Sequence, residues 1–159
     1  VRPVATTISL LIGLGGTPVL ADARTDMAQA VSICLENVLS KEQALDDLRA
    51  AGFELRYTDE GSYNFEKGSV SGFVTPIELT QWCWVETTDL SLTEAQDIGP
   101  AQLRAVYPNS FAGPVNRDLL ANGCPGLEFM VGSRIMIMEF RNVGFHFGCN
   151  ADGSAGILQ

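Results

Sequence analysis

The chain is poor in the side chains from which most enzyme sites are built. Histidine occurs once, as His146. That excludes a His-rich zinc site and an H-E-x-x-H helix, although one imidazole beside a carboxylate can still act as a base. No G-x-S-x-G nucleophile elbow occurs, because the run from Gly68 to Gly72 has Val70 where the serine would stand. The four cysteines, Cys34, Cys83, Cys124 and Cys149, contain no C-x-x-C, so neither a zinc ribbon nor a thioredoxin-like pair is supported. Basic residues are scarce as well, with 10 Lys and Arg against 19 Asp and Glu and a net charge of −9. Without a basic cluster the chain lacks what nucleic acid and anionic lipid both require. No cofactor and no nucleic-acid partner are expected.

What the chain does have is clearest at its start. Arg2 is followed by an uncharged apolar stretch from Val4 to Leu14, then by Gly15, Gly16, Thr17 and Pro18, then by Val19-Leu20-Ala21-Asp22-Ala23. This is the order of a secretory signal: a positive start, an apolar run, helix breakers, and small residues for the peptidase. Cleavage is expected after Ala23, with Ala21 as the alternative. The apolar run is about half of the ~20 residues that span a bilayer, so no stable membrane anchor is expected after cleavage. Residues 24–159 then form one domain, large enough to bury its own core.

Export changes the reading of the cysteines. In an oxidising compartment an even number implies disulfides. Met27, Val31, Cys34, Leu35 and Val38 fall on one helical stripe. Cys83 falls on a predicted strand in which Ile77, Leu79, Cys83 and Val85 share one face. A Cys34–Cys83 bond would staple helix to sheet. Cys124–Cys149 would tie the loop before the last strands to the end of the predicted meander. Four cysteines allow three pairings, and this is the favoured one.

The remaining pattern is α+β, with N-terminal helices packed on a largely antiparallel sheet and short helices between two strand groups. Ser40 with Gln43 and Ser91 with Glu94 read as capping boxes, and Gly52 followed by Phe53 as a helix stop. Strands are predicted at 53–58, more weakly at 63–73, and then through Val85. Gly99-Pro100 is expected to interrupt the helix that Ser91 opens, and Gly113-Pro114 to open another. The last third is predicted as a meander of 127–131, 134–141 and 145–149.

The candidate binding residues are Trp82 and Trp84, placed by period-two alternation on the face opposite Cys83 with Thr80 and Glu86. Side by side they would form an aromatic platform for a sugar, a peptide or a protein; under helices they would be core. His146, between Phe145 and Phe147, reads as a half-exposed strand residue without a catalytic role. Asn150-Ala151-Asp152-Gly153-Ser154 resembles the middle of a calcium loop. With Gly153 at the sixth position, however, Gly148 and Gln159 stand where carboxylates are needed, so a plain turn is expected and no metal. Adjacent acids at Asp46-Asp47 and Asp59-Glu60 read as solvated surface.

These features together lead to the expectation of a small acidic exported protein, periplasmic or secreted, acting as a non-enzymatic binding module in the bacterial cell envelope with a protein or glycan partner. A small carboxylate-dependent hydrolase of envelope polymers and a secreted protein inhibitor are the alternatives. Two carboxylates converging in a deep cleft with perturbed acidity would favour the hydrolase, and a flat exposed aromatic patch the binding module.

Overall fold

In the computed structural model, residues 18–58, 61–75, 82–116, 118, 120, 123–143 and 148–159 are described. The apolar run of the expected signal, the segment 76–81 with Ile77, Leu79 and Thr80, and His146 lie outside them.

Two helices come first, α1 (Pro18–Glu36) and α2 (Lys41–Ala50). The apolar stripe of α1 is buried as its spacing requires: Met27, Val31, Cys34 and Leu35 have no exposed surface. The Asn37 side-chain amide then donates to Ile33 O at 3.0 Å and to Asp47 Oδ2 at 2.9 Å, which fixes the angle between the helices. Ser40 caps α2 by accepting from Gln43 N–H. Gly52 ends it in the left-handed region, with Gly52 N–H donating to Arg49 O and Phe53 N–H to Leu48 O, the double bond pattern of a Schellman stop.

Four strands follow: β1 (Glu54–Tyr57), β2 (Tyr63–Lys67), β3 (Val70–Val74) and β4 (Cys83–Ser91). The two glycines that weaken the sequence pattern have separate roles. Gly68, at positive φ, makes the tight turn between Lys67 and Val70. Gly72 sits inside β3, where a Cβ would fall 2.0 Å from Trp84 O and 2.4 Å from Phe65 Cζ.

Ser91 ends β4 and caps α3 (Leu92–Val106) with a complete capping box to Glu94. Contrary to the expected interruption, α3 runs straight through Pro100. Proline there forfeits one helical hydrogen bond, but Gly99 before it is buried and lies where a Cβ would come 2.7 Å from Met138 Sδ and Phe140 Cε1. Close docking on the sheet compensates for the missing bond.

The last strands are β5 (Ala112–Pro114), β6 (Gly126–Val131), β7 (Arg134–Arg141) and β8 (Ser154–Leu158). Gly113-Pro114 therefore belongs to a strand, not to the start of a helix. Pro114 is tolerated because β5 is the edge strand, which has an unpaired side. Most of the expected third strand, 145–147, lies outside the described residues; Gly148 and Cys149 are not in a strand, and the strand that pairs with β7 is β8.

All eight strands form one antiparallel sheet in the order β1-β2-β3-β4-β8-β7-β6-β5. The chain end thus inserts β8 at the centre, between β4 and β7. α1 packs against β4 and α3, α2 against β1 and β3, and α3 against β7 and β8. The fold is α+β, with helices on one face of the sheet, and its core lies between that face and the helices.

Candidate functional site

The disulfides connect the layers. Cys34 on α1 bonds Cys83 at the start of β4, with Cα atoms 6.2 Å apart, and both residues are fully buried. Cys124 bonds Cys149, with Cα atoms 5.5 Å apart. The second bond gathers loops over the sheet face that the helices leave open. On that face Gly126 stands opposite Glu139, and a Cβ on Gly126 would meet Val115 Cγ1 at 2.8 Å and Leu120 Cδ1 at 3.2 Å. Beneath these loops Glu139 forms a buried ion pair with Arg141.

Trp82 and Trp84 do not form a shared surface platform. Trp82 is 2% exposed and Trp84 8%, and they point to opposite sides of the sheet. Trp82 joins the helix-side core and donates its indole N–H to Cys34 O at 3.1 Å. Trp84 donates to Glu86 Oε2 at 2.6 Å, and its ring lies so close over β8 that a Cβ on Gly156 would be 2.3 Å from Cη2. The alternation fails because the N–H groups of Trp82 and Cys83 both donate to Gln159 O. Two residues against one is the arrangement of a β-bulge, and it turns a side chain to the other face.

Trp84 instead helps to line a notch of about 190 Å³ on the open face, with Arg56, Asn64, Glu66, Ser71, Phe73 and Glu86 around it. Arg56 pairs with Glu66 at 2.6 Å. Glu86 accepts from the Trp84 indole and from the Ser71 hydroxyl, the latter at 3.4 Å.

The other end of the same face is apolar. Ile135 and Phe111 are 69% and 67% exposed, and Met130 and Ile137 are also exposed. Register places them together, since Met130 stands opposite Ile135, Glu128 opposite both Ile137 and Gly113, and the Phe111 ring over Gly113. A hollow of about 200 Å³ lies among Phe111, Glu128, Phe129, Met130 and Ile135. Ser110 Oγ satisfies both backbone groups of Met130, accepting from its N–H at 3.1 Å and donating to its C=O at 2.7 Å. The backbone groups of Met130 are therefore satisfied within the chain, and the residue offers its side chain.

The turn that resembles a calcium loop is filled by an amide. Asn142 Nδ2 donates to Asn150 O and Ser154 O at 3.0 Å each, and its Oδ1 accepts from Asn150 N–H at 2.7 Å. Donors thus sit on carbonyls that a cation would need. Among the described residues no group of three or more His, Cys, Asp or Glu is placed to hold a metal.

Two groups have displaced acidity. Glu94 is held below the usual carboxylate range, first by the Ser91 backbone N–H, then by the Ser91 hydroxyl, with a smaller contribution from Arg24. Burial, and then Glu36, raises the Tyr107 phenol, whose hydroxyl donates to Leu35 O at 2.5 Å. Both belong to helix ends, and neither lines the notch or the strip.

Sequence reasoning missed the strip. The available signal was in β7, where Ile135 and Ile137 alternate with Met136 and Met138, so both faces are apolar although only one can meet the core. Comparison with known protein families, with curated proteins and with solved structures returned no match. Two disulfides, and no helix among the described residues long and apolar enough to cross a membrane, fit a small secreted or envelope protein.

Proposed function

We propose that this chain is an exported, non-enzymatic binding module of the bacterial cell envelope, periplasmic or secreted, which engages a macromolecular partner through the strip of Phe111, Met130, Ile135 and Ile137. The observation that carries the reading is the clustering of these four side chains on one uncovered end of the sheet. Such patches, when contiguous, mark interaction sites. The four side chains are hydrocarbon, aromatic and thioether groups, the chemistry of a docking surface, with Glu128 as the one carboxylate lining the hollow among them. A secreted inhibitor is one form of the same reading, in which the partner is an enzyme. The notch holds two carboxylates but gives the hydrolase alternative little support, because it is shallow and open, Glu66 is tied to Arg56, and Glu86 is held by Trp84 and Ser71.

The test is capture from envelope extracts of the native host with immobilised protein and an Ile135→Glu/Ile137→Glu variant. A defined partner held by the first and lost by the second supports the reading, and identical retention by both overturns it. Because the two positions are exposed, unfolding of the variant should differ by about 0.5 kcal/mol or less.

Export is part of the proposal. α1 begins at Pro18 and passes through the expected cleavage point, and Ala23 is buried in the core. Cleavage after Ala21 retains Ala23 and leaves Asp22 in the first turn, where a negative charge is favourable. Cleavage after Ala23 would remove a core residue and start the helix at Arg24. The geometry therefore supports the earlier site, and N-terminal sequencing of protein from its host should find Asp22 first. A mature chain that still carries the apolar run from Val4 to Leu14 would overturn export.

A further inference from the structure

We propose that the notch on β1 to β4 receives a single organic cation, a guanidinium or ammonium group, carried either by an arginine or lysine side chain of a partner or by a small amine. The site is separate from the apolar strip, and the proposal does not depend on it.

Size sets the first limit. A hollow of about 190 Å³ is below the ~300–1,000 Å³ of pockets that enclose whole small molecules. One side chain or one small head group fits.

Charge selects its sign. Of the two carboxylates, Glu66 is matched by Arg56 at 2.6 Å. Glu86 is half-buried and has no ion-pair partner among the described residues. It is nevertheless held in place, because the Trp84 indole donates to one oxygen and the Ser71 hydroxyl to the other. Each carboxylate oxygen has a second acceptor position, so a fixed negative charge remains able to accept two further bonds. That matches the fork of a guanidinium or the donors of an ammonium.

The walls match the same ligand. Phe73 and Trp84 are cross-strand partners on β3 and β4, which brings their Cβ atoms within ~5.5 Å. Aromatic faces attract cations electrostatically within ~6 Å of the ring, and the Phe73 ring gives the hydrocarbon stem a surface. A carboxylate beside an aromatic pair is thus suited to an organic cation, whereas an anion would meet Glu86 with the Arg56 charge already matched by Glu66. The net charge of −9 raises the local concentration of cations over the whole molecule.

The experiment titrates the mature protein with L-arginine amide and tetramethylammonium as free cations, with a blocked Gly-Arg-Gly peptide as the chain-borne form, and with glucose as a neutral comparator. Tryptophan emission and calorimetry report binding. At least one cation should saturate at about 1 mM, and Glu86→Gln should weaken it about tenfold. Phe73→Leu keeps the charge and removes one aromatic wall, so it decides the matter should Glu86→Gln fail to fold, and it too should weaken binding. Tighter binding of the peptide than of arginine amide identifies a protein-borne side chain; the reverse order identifies a small amine. The proposal is overturned if glucose binds as well as the cations, if no cation saturates below about 30 mM, or if the folded variants bind as the parent does.

Discussion

The two ends of the sheet carry different chemistry on the face that the helices leave open. At the β1–β4 end the exposed row is polar, with Glu66 ion-paired to Arg56 and Glu86 held by neutral hydrogen-bond donors, and the Trp84 ring lies low against β8. At the β5–β7 end aliphatic and aromatic side chains project without cover, beside loops fastened by Cys124–Cys149. The supports differ in the same sense. Cys34–Cys83 joins two fully buried residues between helix and central strand, whereas in the second bond Cys124 is fully buried but Cys149 is only half-buried. One end is built into the core; the other is an attachment that leaves part of the sheet free.

Removing the cysteines tests this contrast most strongly. Loop-closure entropy for sequence separations of 49 and 25 residues corresponds to about 4 and about 3.5 kcal/mol. Chain entropy alone therefore barely separates the two bonds. Replacing Cys34 and Cys83 with Ala should nevertheless cost distinctly more in urea unfolding than replacing Cys124 and Cys149, because it also opens space in the core. Under mild reductant Cys124–Cys149 should open first, as judged by alkylation and mass mapping, since attack requires access to a sulfur. Equal losses and equal rates would show that the second bond is as deeply built in as the first.

A smaller effect, about 1–3 kcal/mol, is expected from Gly156→Ala, which places a methyl where the Trp84 ring lies. The Trp84 emission should shift with it. In the unmodified protein both indoles are buried, so emission should be blue-shifted and resist acrylamide; a red-shifted, readily quenched spectrum would restore the exposed platform.

The smallest effect concerns pH. Glu94 has its pKa lowered below the usual carboxylate range in the folded chain, first by the Ser91 backbone N–H. It therefore contributes stability that is complete above the unfolded-state value and is lost as pH falls through the lower folded value. Glu94→Gln should flatten that acid limb of the stability profile while leaving the notch and the strip as they were. An unchanged limb would remove the capping box from the account of how α3 begins.

How far the fold could be read from the sequence depended on the range of the forces involved. The α1 stripe, the Gly52 stop, the Ser91 box and the β6–β7 turn follow from neighbours three or four residues apart, and all were legible. β8 was not, because Ser154 to Leu158 is a short run of small and apolar residues whose strand character comes from pairing with β4 and β7. α3 was misread at Pro100 because close docking of Gly99 outweighs one lost hydrogen bond. The indoles of Trp82 and Trp84 were misplaced because a single carbonyl, Gln159 O, accepts two successive N–H groups, and no local pattern announces that.

By itself, then, the sequence determined composition, charge, the α+β class and which residues belong to helices with their own caps, since these depend on local periodicity and backbone preference. It also narrowed the cysteine pairing to a favoured one by placing Cys34 on a buried stripe. Only the tertiary structure decided which of the two faces of each outer strand would be left uncovered. A helix can lie on one side of a sheet and not on both, and whether Ile135 meets a partner within the chain depends on where α3 and the final strand come to rest.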